Sequence, residues 1–329
     1  MGSAFKRFIN RFHPIRETLP SKKILISAFG KHPGWDDHID DIGLETNILI
    51  RVKRLLYIRG IGGNIDKGSW DKLHKDQRIE EFKHVFFWWI EGQMVVGRMW
   101  SSQDGKGRKS YPFVVCVQCQ KLHMPWIFEN VLPLLERIEA TCRATTSATE
   151  VRRAIQNAGQ ALLKLAQDRT ETRNLTMQEP DALAKLAEDP DMGPDRQGLF
   201  RILYHIDREA GRTPMNHTGG GALKSTALRV HISESAMPES IQLWSSFLLD
   251  RFGADTSVLI LMPLENQWMD IIIGEPSETQ LYCLRASLKV IPMTSSIPYN
   301  ISPEYIAQAK RLIGDLESQT HHPGKIVQD

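Results

Sequence analysis

Residues 32–41 (His32-Pro33-Gly34-Trp35-Asp36-Asp37-His38-Ile39-Asp40-Asp41) crowd two imidazoles and four carboxylates together. Groups of this kind on a loop are the ingredients of acid–base chemistry or of a metal-assisted hydrolase, for which His32, Asp36, Asp37 and His38 are the candidate residues. Their spacing argues against it. No pair of histidines one helical turn apart lies on a recognisable helix, and the carboxylates lack the pattern and terminal bidentate Glu of a calcium loop. The plainer reading is that Asp36 or Asp37 caps the following segment while the other carboxylates stay solvated, so no metal and no cofactor are expected.

Other motifs fare no better as chemistry. In Gly219-Gly220-Gly221-Ala222-Leu223-Lys224-Ser225 a Leu precedes the Lys, and the loop leads into a strand, so it does not read as a phosphate-binding loop. The basic loop Asp104-Gly105-Lys106-Gly107-Arg108-Lys109 lies between two strands with no helix N-terminus to hold an anion. Cys116 and Cys119 stand three apart on one strand, pointing to opposite faces, and no second pair completes a zinc site. A Gly-x-Ser-x-Gly nucleophile elbow is missing. The chain therefore reads as non-enzymatic.

The elements that position these groups follow from periodicity. A strand at Lys23–Phe29 runs into the Gly30-Lys31-His32-Pro33-Gly34 turn, and an amphipathic helix over Glu45–Arg59 stops at Gly60, with Gly60–Trp70 read as a glycine-rich loop. Strands at His84–Ile90, Gln93–Ser101 and Ser110–Gln120 form a meander, the first pair joined by a Glu91-Gly92 hairpin turn. Apolar spacing predicts helices over Pro125–Ala140 and Thr149–Leu165, then a short one over Asp181–Glu188. Beyond it come helices at Arg196–Glu209, Pro238–Phe252 and Pro303–Leu316, and strands at Thr226–Ile232, Thr256–Met262, Gln267–Ile273 and Thr279–Arg285. The fold class is α+β, mixed α/β, in two lobes, each a mainly antiparallel sheet covered by helices. Residues 23–170 form the first lobe, 171–195 a linker with three X-Pro steps, and 196–329 the second lobe. Trp88 and Trp89 must face opposite sides of their strand, and the favoured reading is that both sides are buried.

Composition narrows the partners. The 329 residues are 41% hydrophobic and 24% charged, with 41 Lys and Arg against 39 Asp and Glu, so a basic surface for nucleic acid is not expected. The longest apolar runs fall far short of the roughly 20 residues that cross a bilayer. Four scattered cysteines do not make a disulfide framework, which favours a reducing, cytoplasmic compartment. Residues 1–22 place Phe5, Phe8, Ile9 and Phe12 at helical spacing among Lys and Arg. A frayed terminus or a short helix packed on the first lobe is the favoured reading there, and membrane contact would come only through this segment.

Two motifs resemble the TagF/ImpM family, accessory proteins of bacterial type VI secretion. Gly30-Lys31-His32-Pro33 is similar to the family's Gly-Lys-x-Pro turn, although Gly34-Trp35-Asp36-Asp37 stands where the family has Gly-Asp-Phe. Ser102 to Phe113 is similar to a pattern of Ser, Asp, Gly-Arg and an aromatic-Pro-apolar ending, and Leu243-Trp244 echoes a Ser-Leu-Trp-Trp run. The resemblance covers Lys23 to Gln120 and implies a regulatory or scaffold protein of a type VI-like apparatus, with a forkhead-associated-domain scaffold protein as its partner. The residues expected to face that partner are Lys31, Trp35, Asp36 and Asp37 on the first loop and Asp104 and Arg108 on the second. Asp104 can accept backbone N–H groups or pair with Arg108, while Tyr111-Pro112 fixes the path into the next strand. The alternatives are the hydrolase above or a small-GTPase-binding module, the latter by fold analogy alone.

Overall fold

The computed structural model describes residues 24–120, 122, 124–167, 181–210, 224–232 and 237–320. Its strands are β1 (Ile24–Gly30), β2 (Lys83–Ile90), β3 (Gln93–Ser101), β4 (Pro112–Cys119), β5 (Thr226–His231), β6 (Val258–Pro263) and β7 (Trp268–Ile273). They form one sheet in the order β1-β4-β3-β2-β6-β7-β5, with every pairing antiparallel. The mixed, mainly antiparallel α+β reading holds. A separate sheet for each lobe does not, because β2 pairs β3 on one side and β6 on the other, setting Phe86 opposite Leu261 and Trp88 opposite Leu259.

The amino-acid pattern of β2 explains why the seam closes there. Val85, Phe87 and Trp89 enter one core with helices α2 (residues 124–144), α3 (Ala148–Gln167), α4 (Ala182–Ala187), α5 (Gln197–Ala210), α6 (Met237–Phe252) and α7 (Pro303–Thr320). Phe86, Trp88 and Ile90 enter the other, beneath α1 (residues 47–66) and the stretch around Leu281–Leu284. A strand apolar on both faces needs a layer on each side, and the two tryptophans are buried on opposite faces as their adjacency requires. The Glu91-Gly92 turn has φ of 51° and 68°, the left-handed pair that a two-residue hairpin needs.

Two stretches depart from the sequence expectation. Residues 60–66 continue α1 rather than forming a loop, the helix being π-wound from Lys53 to Gly62 and ending at Asp66. The glycines that suggested a loop are instead where the helix is pressed against its neighbours, for a Cβ on Gly60 would lie 2.2 Å from Leu281 Cδ1. Likewise Thr279–Arg285 is not a strand. Ser277 and Gln280 form a capping box that starts a short helical turn, Glu278–Leu281, and a 3-10 turn follows.

The stretch after that turn is tied down by Arg229, fully buried on β5, which grips Asp270 of β7 through Nε–Oδ1 at 2.7 Å and Nη2–Oδ2 at 2.8 Å. Its Nη1 donates to the carbonyls of Ala286 and Ile291 at 3.0 and 3.1 Å, and Nη2 also donates to the Cys283 carbonyl at 3.4 Å. Both sheet edges are covered. On β1, Ala28 and Ile42 exchange N–H···O bonds of 2.9 and 3.0 Å. On β5, the Arg229 amide donates to Thr294 Oγ1 at 3.0 Å and the Ala227 carbonyl accepts from His205 Nε2 at 2.8 Å. The basic segment 1–22, residues 171–180 of the expected linker and the glycines 219–221 lie outside the described residues, while the rest of that linker carries α4 and two 3-10 turns.

Candidate functional site

The two family-like motifs are far apart in sequence and meet because of strand direction. β1 runs up to Gly30 and its antiparallel neighbour β4 starts down from Pro112, so the loop leaving one strand and the loop arriving at the other share an end of the sheet. Gly30 has a φ of 119° and lies so close to β4 that a Cβ would sit 2.3 Å from the Pro112 oxygen. The Lys31 amide then donates to that same oxygen at 3.2 Å, and Ile39 returns to donate to the Gly30 carbonyl at 2.8 Å.

Asp104, only 1% exposed, is the hub. Its Oδ2 accepts from Lys31 Nζ and from Arg108 Nε, both at 2.7 Å, and its Oδ1 accepts from the Lys106 and Arg108 amides, both at 3.0 Å. Asp104 thus does both things expected of it, taking backbone donors and pairing with Arg108. Arg108 Nη2 reaches on to the Asp36 carbonyl at 2.9 Å and Asp37 Oδ1 at 3.1 Å, while the Gly105 amide donates to the Trp35 carbonyl at 2.7 Å. The two loops are therefore one clasp. Burial by itself raises the Asp104 carboxyl, but the hydrogen bonds from Lys31 and Arg108 outweigh it and hold the group well below the usual carboxylate range.

Around this hub each motif residue has a partner. His32 Nε2 donates to the Cys142 carbonyl at 2.9 Å and Nδ1 accepts from the Gly34 amide at 3.0 Å, which uses both ring nitrogens. Burial lowers its pKa. His38 packs edge-on against Tyr57 and Tyr111, with ring centroids 5.8 and 5.1 Å away, and its Nδ1 lies 3.2 Å from Asp37 Oδ1. Its pKa falls through burial, against the pull of Asp37. Trp35 is half-buried under the Arg152 guanidinium, 5.4 Å above its ring, and Arg152 also grips Asp40 at 2.6 Å.

Sequence reasoning missed the contribution of α1. Its π-wound segment brings Lys53, 2% exposed, to both oxygens of Asp41 at 2.6 and 2.5 Å, and brings the Tyr57 hydroxyl to the Pro112 carbonyl at 3.3 Å. Burial lowers the Lys53 pKa against the attraction of Asp41, and burial pushes the Tyr111 hydroxyl up to about 12. The cap of this helix is Thr46, whose side chain accepts from the Leu49 amide at 3.2 Å, so neither Asp36 nor Asp37 starts it. A lysine in an otherwise apolar helix repeat was the one available signal.

Chemically the arrangement braces two loops against each other. Among the described residues no group of three or more His, Cys, Asp or Glu side chains is placed to hold a metal, and His32, with both nitrogens engaged by backbone, is not free to serve the hydrolase alternative. Cys116 and Cys119 are buried in opposite cores, and burial pushes the Cys119 and Cys142 thiols up to about 12, far from a reactive thiolate. No helix among the described residues is long and apolar enough to cross a membrane. Asp36, Lys106 and Lys109 face outward from the clasp. The chain matches no family model and no curated protein.

Proposed function

We propose that this protein is a non-enzymatic regulator or scaffold that acts by holding a protein partner, as an accessory regulator of a type VI-like secretion apparatus in the cytoplasm. The observation that carries this reading is the Asp104 clasp. Its internal charges satisfy one another, and it braces into one surface the two loops that carry the resemblance to TagF/ImpM. Such a surface works by occupancy, with no bond made or broken. The partner of this reading is a forkhead-associated-domain scaffold protein, met by the exposed groups at the rim of the clasp, Asp36 and Lys106 among them.

Affinity purification from the native cell tests it, with wild type beside a double charge reversal, Asp36→Lys with Lys106→Glu, whose fold is checked by circular dichroism. The expected outcome is retention of the scaffold protein by wild type and a loss of about tenfold or more in the folded variant. Equal retention by both proteins, or none by wild type, overturns the reading.

A further inference from the structure

Behind the clasp lies a groove of about 650 Å³ whose walls come from five separate stretches of chain, Arg285 being the last. His32 and Pro33 of the first loop and Ser102, Gln103 and Lys109 around the second line one side. Glu80 and Glu81, just before β2, and the end of α2 at Cys142–Thr146 line the rest, above Trp100. The clasp therefore shapes this groove directly, since Gln103 and Lys109 flank the turn that Asp104 closes.

The polar groups here differ from those of the clasp in one respect. Arg143 is committed to Glu139 at 2.8 Å, Arg285 to the Ile79 carbonyl at 2.8 Å and Glu80 to Arg78 at 3.0 Å. The side chains of Glu81, Lys109, Ser102 and Gln103 make no hydrogen bond or ion pair with any described residue. The groove thus offers an anion, Glu81, that feels Arg285 only at a distance, a cation, Lys109, and neutral groups that both donate and accept. A phosphate or other simple anion would meet Lys109 but face Glu80 and Glu81, with Arg143 and Arg285 held back by Glu139 and by backbone carbonyls, and a simple cation would meet the reverse problem. An extended polypeptide carries backbone donors and acceptors along its length and side chains of both signs, which fits all four groups at once.

We infer that this groove binds an extended segment of a partner protein, with a basic side chain set toward Glu81 and an acidic one toward Lys109. The inference rests on the binding-protein reading above and adds where, and by what chemistry, a partner is gripped.

The test starts from a display library of random short peptides selected against the full chain, with affinities then measured by fluorescence anisotropy. The selected peptides are expected to carry one basic and one acidic residue at a recurring spacing. Glu81→Lys and Lys109→Glu, each checked for folding, are expected to weaken them about tenfold or more. Reversing the basic residue of the peptide should recover binding to Glu81→Lys, a readout that mere damage to the fold would not give. Peptides that bind both reversal variants as tightly as wild type, or the absence of any selected peptide, overturn the inference. A native partner retained by Glu81→Lys but lost from the Asp36→Lys/Lys106→Glu protein removes the groove and leaves the clasp reading standing, whereas no partner on wild type removes the reading itself.

Discussion

Asp104 and Lys31 are 1% and 4% exposed and 2.7 Å apart, and the pair joins two loops that nothing local in the chain brings together. Removing Asp104 leaves the buried Lys31 ammonium with only the exposed Asp37 carboxylate, 3.7 Å away, and breaking a buried pair costs about 3–5 kcal/mol, so Asp104→Ala is expected to destabilise by up to that order in denaturant unfolding at neutral pH. The gap between the two proteins should also depend on pH. Because the folded carboxyl holds its proton more weakly than the unfolded chain does, the unfolded state takes up protons first on acidification. The Asp104 contribution is complete above the ordinary carboxylate range, near about pH 4, and drains away below it by up to about 1.4 kcal/mol per pH unit. A gap that stays constant on acidification sinks this account. The hub residue itself was legible, since an aspartate ahead of Gly-Lys-Gly-Arg announces a turn that collects amides. Lys31 as its partner was not, because only the antiparallel pairing of β1 with β4 brings the two within reach.

At the scale of elements, the departures occur where glycine or an apolar run carries two meanings. Gly60 to Gly63 looked like a loop, yet each of Gly60, Gly62 and Gly63 sits in the helix α1, and Gly60 lets α1 approach Leu281. A methyl there would lie 2.2 Å from Leu281 Cδ1 and 3.0 Å from the Leu55 oxygen, and Leu281 is wholly buried. Crowding therefore outweighs the gain of about 1 kcal/mol that alanine brings to a helix, and Gly60→Ala should destabilise by about 1–3 kcal/mol. Gly314 in α7 is the control. A Cβ there meets nothing within 4 Å, so Gly314→Ala should be neutral or slightly stabilising in the same thermal melts. The reverse order of the two variants would mean that the close packing of α1 is wrong. Residues 279–285 misled for the opposite reason, because an apolar alternation that reads as a strand was overridden by the Ser277 capping box and by the grip of Arg229 on the carbonyls that follow.

For the whole molecule, hairpins and helices were legible because they are local, whereas the joining of two halves into one sheet is not written in any window of sequence. The run Val85–Ile90 did show that both faces of β2 would be buried, but an edge-to-edge partner some 170 residues away leaves no periodic trace. The β2–β6 seam has a physical consequence. Phe86, Phe87 and Trp88 pair with Leu261, Ile260 and Leu259, so neither half can unfold without stripping a central strand of the other. Thermal unfolding followed by tryptophan fluorescence and by far-ultraviolet circular dichroism should therefore give coincident transitions. A chain ending at residue 195 should lose more than its share of stability, because it leaves the outer edge of β2 open along residues 84–89. That edge belongs to a strand apolar on both faces, and the fragment is expected to aggregate or to bind a hydrophobic dye such as ANS rather than remain monomeric. Two separated transitions, or a monomeric fragment that melts with the intact chain, would show that the seam joins two bodies able to fold alone.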